Sequence, residues 1–284
     1  MNLKETLNAT GETLIKTGSP DAKLEAEVLI RHVLRIDRAT FLRDLEEPVT
    51  KYDRERLDGL VARRLRREPL NYITGFREFY GLSFEVSDGV LIPRQETELL
   101  VDTVIALARS RPKSEMRICD VGTGSGAIAI SLAVHLPSAE ITATDISQRA
   151  LDIADSNRRT HGVYNRVALR CGNLLEPIDY KPEIIVSNPP YIREGDLLFL
   201  QPEIQYEPRV ALDGGTDGLE LIRGLLSQSL GKVSSTGAIL FEIDAAQENS
   251  ARILSREYFP NSEISVLDDL SGNSRAILIE KFSQ

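Results

Sequence analysis

The sequence predicts an α/β protein in which a small helical bundle precedes a sheet that is covered by helices on both faces. Three observations predict this fold. Residues 1–75 carry apolar side chains at helical spacing and no strand pattern. Residues 76–94 change to short strand-like segments. In residues 95–284 short apolar segments alternate with helical ones, which is the order expected of a parallel sheet between two helical layers.

Residues 1–75 contain recognisable helix boundaries. Ser19 and Pro20 are typical of a helix start, because a hydroxyl caps free amides and proline fits the first turn. Thr50, followed three residues later by Asp53, resembles a capping box that opens another helix, and Pro69 ends that helix. Apolar residues at helical spacing support both helices: Leu24, Val28, Leu29, Val33, Leu57, Leu60, Val61 and Leu65.

Residues 76–94 are expected to link the two parts as a hairpin. Two short runs of aromatic and apolar residues, 76–80 and 82–86, flank Gly81, and a glycine between two strands marks a tight turn. We therefore predict a helical domain at 1–75, a hairpin linker at 76–94 and a larger domain at 95–284.

The larger domain carries seven strand candidates with helical patterns between them. In open sheets of this kind ligands bind at the carboxyl ends of the strands, near the point where the strand order reverses. The residues that follow these strands are therefore the first place to look for a site. The candidates are 117–121, 141–145, 167–170, 184–187, 238–243, 264–267 and 276–280.

Composition excludes several classes of protein. The two cysteines, Cys119 and Cys171, are far apart and lie outside any metal-ligand spacing, so we expect two buried free thiols and no metal site. The first residues lack the layout of a signal peptide, and no apolar run approaches the roughly 18 residues that span a bilayer. We expect a cytoplasmic protein with no membrane partner.

The charge distribution argues against nucleic acid as a partner. The formal net charge is −9, whereas binding to phosphates needs clustered Lys and Arg. Residues 1–75 contain 14 Lys and Arg against 13 Asp and Glu, so the remainder carries a net charge of −10. This acidic surface gives no reason to expect more than a monomer. One predicted helix carries six arginines, which form either a solvated face or a docking surface for a partner. They are Arg54, Arg56, Arg63, Arg64, Arg66 and Arg67.

A glycine-rich turn follows the first strand of the larger domain. Gly122-Thr123-Gly124-Ser125-Gly126 lies between that strand and a helix, where glycines let a ligand approach the main chain and free amides offer donors. Asp145 ends the next strand, at the distance expected of an acid that binds ribose hydroxyls. This pattern predicts a nucleoside cofactor. Both NAD and S-adenosylmethionine contain an adenosine ribose, so the turn and Asp145 leave the choice open.

The turn after the fourth strand favours methyl transfer. Asn188-Pro189-Pro190-Tyr191 must leave the sheet, because two prolines cannot continue it, and their fixed φ angles make the turn rigid. The Asn188 side-chain oxygen and the Pro189 carbonyl could accept the two N–H groups of an amide or aromatic amine, while Tyr191 stacks on its plane. This arrangement orients a weakly nucleophilic nitrogen and stabilises the charge that develops on it. We therefore expect S-adenosylmethionine as the methyl donor.

The sequence resembles the peptide-chain release factor glutamine N5-methyltransferases (the PrmC/HemK family) over nearly its whole length. The Asn-Pro-Pro-Tyr turn alone is shared with DNA adenine methyltransferases, and the combination with the other segments is more specific. The segments that carry the resemblance are 67–75, 78–82, 91–94, 96–98, 120–126, 188–191 and 206–212.

The resemblance implies a class I, Rossmann-like methyltransferase domain with a seven-stranded sheet, joined by the hairpin to a helical domain that docks the substrate. The implied acceptor is the glutamine of the Gly-Gly-Gln motif in bacterial release factors 1 and 2. Residues 122–126 and Asp145 would contact the cofactor, and Asn188 would lie between the cofactor and the glutamine. Pro189, Pro190 and Tyr191 would line the substrate amide. Further candidates for cofactor contacts are Asp120, Asn173 and Leu174.

The chain departs from the family pattern at three places. Gln95 stands where many relatives have proline, Asn173-Leu174 replaces an acidic-aromatic pair beside the adenine, and Asp244 stands where glycine is usual. Arg94 and Glu207, each next to a proline, form either a surface salt bridge or a pair that shapes the active-site loop.

Two other functions compete with this interpretation. A nucleic-acid adenine N6-methyltransferase would flip a base into the same turn, but it needs a basic binding surface. A noncatalytic cofactor-binding adaptor would not need the glycine turn, Asp145 and Asn188 together.

Overall fold

The computed structural model describes residues 1–111 and 116–280. The chain divides into two compact units. The first comprises Met1–Phe76 with Gln201–Tyr206, and the second comprises Arg77–Leu200 with Glu207–Gln284. The predicted division into a docking domain, a linker and a catalytic domain remains a prediction.

The first unit is helical, as its apolar periodicity predicts. Asn2 and Glu5 form a capping box at the first helix, and the Thr50 side chain accepts a hydrogen bond from the Asp53 amide at the start of the fourth. The second helix begins at Ala22, so Ser19 and Pro20 lie just before it. The helices are α1 (Leu3–Leu14), α2 (Ala22–Leu34), α3 (Arg38–Arg43), α4 (Lys51–Leu65) and α5 (Leu70–Thr74).

Internal ion pairs engage several of the clustered arginines. Arg64 is 4% exposed, and its guanidinium lies 2.9 Å from both Glu25 and Glu203. Arg67 pairs with the same Glu203 at 2.7 Å, and Arg63 pairs with Glu68 at 2.5 Å. Arg56 also pairs with Asp53, at 3.7 Å, so at least four of the six arginines form ion pairs within the unit itself.

A two-stranded sheet opens the region after the helices. It comprises β1 (Phe76–Phe79) and β2 (Leu82–Glu85), the hairpin that the sequence predicts. Tyr80 and Gly81 both have positive φ, at 52° and 72°, and so make a tight turn between the strands.

The second unit contains a seven-stranded mixed sheet. Its strand order is β5-β4-β3-β6-β7-β9-β8. The predicted parallel sheet is confirmed for β3 to β7 but is wrong for β9, which runs antiparallel to both β7 and β8. A tight turn at Asp269–Gly272 returns the chain directly from β8, and hydrophobic periodicity does not report strand direction. The strands are β3 (Met116–Val121), β4 (Ala139–Asp145), β5 (Val167–Cys171), β6 (Ile184–Ser187), β7 (Ala238–Glu242), β8 (Glu263–Asp268) and β9 (Ser274–Glu280).

Helices cover both faces of this sheet. Successive strand residues point to opposite faces, so Ile118 packs into one buried apolar cluster and Cys119 into the other. One cluster includes α6 and α7, and the other includes α9 and α10. Strand order reverses at β3, whose neighbours are β4 and β6, so the ends of these three strands are where a ligand is expected. The helices are α6 (Glu98–Ser110), α7 (Ala127–His135), α8 (Gln148–Thr160), α9 (Glu220–Ser229) and α10 (Glu248–Tyr258).

Across residues 1–111 and 116–280, none of the helices has the length and apolar character that a membrane span requires.

Candidate active site

The glycine-rich turn leaves the carboxyl end of β3 in a left-handed conformation. Gly122 and Gly124 have φ values of 73° and 55°, which glycine adopts without strain. A Cβ atom at either position would meet nothing within 4 Å. Backbone conformation therefore requires glycine here, and the open space beside both residues is available to a ligand.

Asp145 lies at the end of β4, beside the glycine turn. Its Oδ2 accepts a hydrogen bond from the Gly124 amide and its Oδ1 from the Ser147 amide, both at 2.9 Å. Burial raises the pKa of this carboxyl, and the two amide donors oppose that shift. Each carboxylate oxygen can accept more than one hydrogen bond, so the side chain retains acceptor capacity for ligand hydroxyls.

Asp120 supports the turn from inside the protein. It is 0% exposed, and its Oδ2 accepts from Thr123 Oγ1 at 2.6 Å and from the Ala129 amide at 3.1 Å. Within the described part of the chain, its Oδ1 is buried without a hydrogen-bond partner. Burial raises the pKa of Asp120 to about 7. Because one carboxylate oxygen accepts from both Thr123 and Ala129, the Asp120 side chain connects the turn to the first turn of α7.

The Asn-Pro-Pro-Tyr turn leaves β6 next to the glycine turn. Ser187 Oγ donates to the Val121 carbonyl at 2.7 Å, which joins the two strand ends. The Asn188 side-chain nitrogen donates to Thr97 Oγ1 at 3.0 Å. Tyr191 is half-buried with its hydroxyl 3.4 Å from Glu242 Oε1, and burial raises the pKa of its phenol.

Residues of both turns line one cavity of about 610 Å³. This volume is in the range of small-molecule sites. Asn188 and Asp145 come from different strands, 43 positions apart in sequence, yet line the same cavity. The predicted site residues in its wall are Gly122, Gly124, Asp145, Asn173, Leu174, Asn188 and Pro190.

The remaining predicted site residues lie behind or beside this wall. Ser125 is buried, and its carbonyl accepts from Asn157 at 2.9 Å. A Cβ atom on Gly126 would lie 2.8 Å from Ile130 Cδ1. Among the described residues, Asp120, Thr123, Ser125, Gly126, Pro189 and Tyr191 are outside the set that lines the cavity. Their contacts with a ligand remain predictions.

Asn173 and Leu174 line the cavity after β5. The Leu174 carbonyl accepts from Thr144 Oγ1 at 2.8 Å, and its φ of 53° turns the chain sharply. Asn173 donates to Glu176 at 3.1 Å. These bonds hold the segment at the end of the sheet, on the same side as Asp145.

Arg94 and Glu207 form a buried connection rather than a loose surface pair. The Glu207 side chain is 2% exposed and pairs with the Arg94 guanidinium. Its Oε2 accepts from the Ile92 amide at 3.1 Å. Because Pro208 and Arg209 line the cavity, this carboxylate ties the chain at residues 92–94 to the loop that forms part of the cavity wall.

Comparison with known proteins identifies the family. Residues 5–75 match the PrmC N-terminal domain, and residues 95–202 match the methyltransferase small domain. The release factor glutamine methyltransferase of Moorella thermoacetica is 40% identical over 279 residues, which cover 98% of each chain. The enzyme of the same name from Geobacter sulfurreducens is 39% identical over 86% of this chain and 85% of its own. This chain belongs to the release factor glutamine methyltransferase family.

Solved structures agree with the methyltransferase fold of this family member. A methyltransferase from Pyrococcus furiosus has a TM-score of 0.52 at 16% identity, covering 72% of this chain and 90% of that chain. The T. thermophilus 16S rRNA N2 G1207 methyltransferase, solved with AdoMet and guanosine, also has a TM-score of 0.52, at 15% identity. It covers 72% of this chain and 49% of that chain. At these identities the likeness concerns the fold.

Sequence reasoning missed two buried residues that are linked by hydrogen bonds to Asn188 in the cavity wall, Thr97 and Glu242. Glu242 ends β7 and is 1% exposed, and its Oε2 accepts from Thr97 Oγ1 at 2.6 Å. Burial raises the pKa of Glu242 to about 7. One signal was available, because a carboxylate directly after four buried apolar residues, 238–241, is rarely placed there without a partner.

Within residues 1–111 and 116–280, the His, Cys, Asp and Glu side chains form no group of three or more that could hold a metal ion. Cys119 is buried, as expected. The expectation of two buried thiols is wrong for Cys171, which is exposed because it lies at the end of the edge strand β5.

Proposed function

We propose that this chain transfers a methyl group from S-adenosylmethionine to the side-chain amide N5 of a glutamine. The acceptor is the glutamine of the Gly-Gly-Gln motif in bacterial class 1 release factors, and its methylation supports translation termination. One observation carries the proposal: a single cavity is lined both by a glycine turn with Asp145 and by Asn188. The first set suits a nucleoside, and the second suits an amide.

The cavity wall fits S-adenosylmethionine. The main chain at Gly122 and Gly124 is open to a ligand, and Asp145 retains acceptor capacity for ribose hydroxyls. Asn173 and Leu174 would contact the adenine, while Thr123, Ser125 and Gly126 would complete the turn around the cofactor. The cofactor, when bound, supplies an electrophilic methyl group on its sulfonium.

Asn188 and Pro189 would position the acceptor amide. The lone pair of an amide nitrogen is delocalised, so the nitrogen is a weak nucleophile. Asn188 Oδ1 and the Pro189 carbonyl would accept its two N–H groups, which points the nitrogen at the methyl group and stabilises the positive charge that develops. Pro190 and Tyr191 would line the planar amide. A general base is unnecessary before transfer, because the proton leaves after the nitrogen gains its methyl.

Release factors 1 and 2 are the proposed partners. Residues 1–75 would dock the body of the release factor, with residues 76–94 as a linker to the catalytic residues 95–284. The relatives that support this proposal are named release factor glutamine methyltransferase. We further propose that the protein acts as a cytoplasmic monomer.

The adenine N6-methyltransferase alternative is weaker. It needs a basic surface for nucleic acid, yet residues 76–284 carry a net charge of −10 against a total of −9. An adaptor without catalytic activity would not need an amide-binding turn beside the cofactor cradle.

The test is a methyl-transfer assay with labelled S-adenosylmethionine. The acceptors are release factor 1, release factor 2, versions of each with the Gly-Gly-Gln glutamine changed to alanine, and duplex DNA. We expect label on the intact release factors alone. Label on DNA, or equal label on the alanine versions, would contradict the proposal, and cofactor binding without transfer to any acceptor would support the adaptor.

A further inference from the structure

A chain of hydrogen bonds runs from Asn188 into the protein, away from the cavity. Asn188 Nδ2 lies 3.0 Å from Thr97 Oγ1, and Thr97 Oγ1 lies 2.6 Å from Glu242 Oε2. Thr97 is 4% exposed and Glu242 is 1% exposed, so bulk water does not compete for these bonds. In sequence, Thr97 is 91 positions from Asn188 and 145 positions from Glu242.

The chemistry of these groups determines which atom donates and which accepts in each of the two hydrogen bonds. An ionised carboxylate accepts hydrogen bonds and donates none, so Thr97 must donate its single hydroxyl proton to Glu242. The Thr97 oxygen can then only accept from Asn188, and it is the amide NH₂ that must face it. Within residues 1–111 and 116–280 the Asn188 side-chain oxygen is therefore left without a hydrogen-bond partner, on a residue that lines the cavity.

We propose that Thr97 and Glu242 are positioning residues, which hold the Asn188 amide in the orientation that presents its oxygen to the acceptor nitrogen. The inference rests on the proposed function, in which Asn188 accepts an N–H of the substrate amide. A primary amide nitrogen offers donors only. If Asn188 rotated by half a turn, its own NH₂ would face the NH₂ of the substrate, and the hydrogen bond would be lost.

The surroundings of Glu242 set the pH range in which this direction holds. Burial raises the pKa of Glu242 to about 7, and the Glu96 charge raises it further, whereas Thr97, Arg275 and Tyr191 oppose the rise. Arg275 comes from β9 and is itself paired with Asp269 at 3.1 Å. A protonated Glu242 can donate to Thr97, which would free the Thr97 hydroxyl to donate to Asn188 and let its amide turn. Tyr191, which contacts Glu242, is itself near two further charged side chains, Arg94 and Asp244.

Substitution of the Thr97 hydroxyl tests the inference. Thr97→Val keeps the shape but removes both hydrogen bonds, and we expect kcat on release factor to fall about 10- to 100-fold. The dissociation constant for S-adenosylmethionine should stay within about twofold. Thr97→Ser restores the hydroxyl and should recover most of the lost kcat. Thr103→Val is the matched control, because among the described residues the Thr103 hydroxyl bonds solely to the Leu99 carbonyl, within α6.

The pH profile supplies a readout that a merely structural role would not move. Measured with saturating cofactor, wild-type kcat should rise as the pH rises through about 7, and Glu242→Gln should lose this limb because its amide does not titrate. Saturating cofactor separates this effect from Asp120, whose pKa is also raised to about 7 and which supports the cofactor turn.

The outcomes distinguish the inference from the proposed function. Thr97→Val with kcat within twofold of wild type would overturn the inference, as would Thr97→Ser falling as far as Thr97→Val, since shape rather than the hydroxyl would then matter. Both results leave the proposed function standing if wild type labels the Gly-Gly-Gln glutamine. No transfer by the wild-type protein would contradict the proposed function, and the inference with it.

Discussion

At the scale of single residues, the side-chain nitrogen and the side-chain oxygen of Asn188 have different roles. Its nitrogen is held by Thr97 at 3.0 Å, inside the protein. Its oxygen is the proposed acceptor for the substrate amide. A side chain of this kind acts through orientation, so its removal should affect the rate of transfer far more than the stability of the fold.

Asn188→Ala should reduce kcat for release factor methylation by about 10²-fold or more, because one positioned polar partner of the transition state is lost. Initial rates with labelled cofactor measure the effect, and thermal unfolding checks that the variant is folded. Asn249→Ala, at an exposed position of α10, is the control. Turnover close to wild type in the Asn188 variant would rule out this mechanism.

Asp145→Ala should act on cofactor affinity. The substitution removes the proposed ribose acceptor and the carboxylate that holds the Gly124 amide at 2.9 Å. We expect S-adenosylmethionine to bind about tenfold more weakly or worse, a loss of about 1.4 kcal/mol. Isothermal titration calorimetry measures the dissociation constant, with Asp152→Ala on the exposed side of α8 as the control. An unchanged dissociation constant would refute the ribose role.

At the scale of elements, the turn between β3 and α7 is held by packing as well as by backbone conformation. Gly126 has a φ of 83°, and a Cβ atom there would lie 2.8 Å from Ile130 Cδ1 and 3.3 Å from Ala154 Cβ. Gly162 has a similar φ of 69°, but a Cβ atom there would meet nothing within 4 Å. The two positions therefore separate conformational strain from overpacking.

Gly162→Ala should lower the free energy of unfolding by about 1 kcal/mol, from strain alone. Gly126→Ala should lower it by about 2–4 kcal/mol, because overpacking adds to the same strain. Urea unfolding followed by circular dichroism measures both. Equal losses at the two positions would mean that the methyl group added at position 126 is accommodated by α7 and α8 without overpacking.

The elements themselves were largely predictable from sequence. The boundaries of the seven strand candidates lie within two residues of those of the observed strands, because short apolar segments bounded by turn residues are a strong local signal. Periodicity alone does not give the direction of β9, but the length of the connection does, because residues 268–275 between the two predicted strands are too few for the crossover that a parallel pair needs. The predicted start of α2 at Ser19 is too early, because Asp21 rather than Ser19 occupies the N-cap position.

The site was predictable only where consecutive residues carry it. The glycine turn and residues 188–191 are local motifs, so their place at neighbouring strand ends followed from the alternation of strands and helices. Thr97 and Glu242 meet through tertiary packing, across 145 positions of sequence. The local sequence pattern around either residue does not indicate that Thr97 and Glu242 are in contact.

At the scale of the whole molecule, buried carboxyls should make stability depend on pH. Burial raises the pKa of Glu242 from 4.5 to about 7 and that of Asp120 from 3.8 to about 7. Between these values the folded state binds more protons than the unfolded state. The stability that these groups contribute is therefore fully present below their unfolded pKa values and is lost as the pH rises through about 7.

Glu242→Gln should stabilise the protein at alkaline pH. The variant removes a carboxyl that must be buried with its charge, so at about pH 8.5 its free energy of unfolding should exceed that of wild type, by at most about 3 kcal/mol. The difference should shrink towards zero near pH 5, where the wild-type carboxyl is protonated in the fold. Denaturant titrations at the two pH values measure it, and a difference that grows at low pH would contradict the assignment.

The central claim is that the methyl group reaches the amide nitrogen of one glutamine. Tandem mass spectrometry of release factor 1, after incubation with this protein and methyl-deuterated S-adenosylmethionine, tests it most directly. We expect one labelled methyl group, on the side chain of the glutamine in the Gly-Gly-Gln motif, and labelling that is slower by about 10²-fold or more with the Asn188→Ala variant. A label on any other residue, or an unlabelled glutamine after full cofactor turnover, would contradict it.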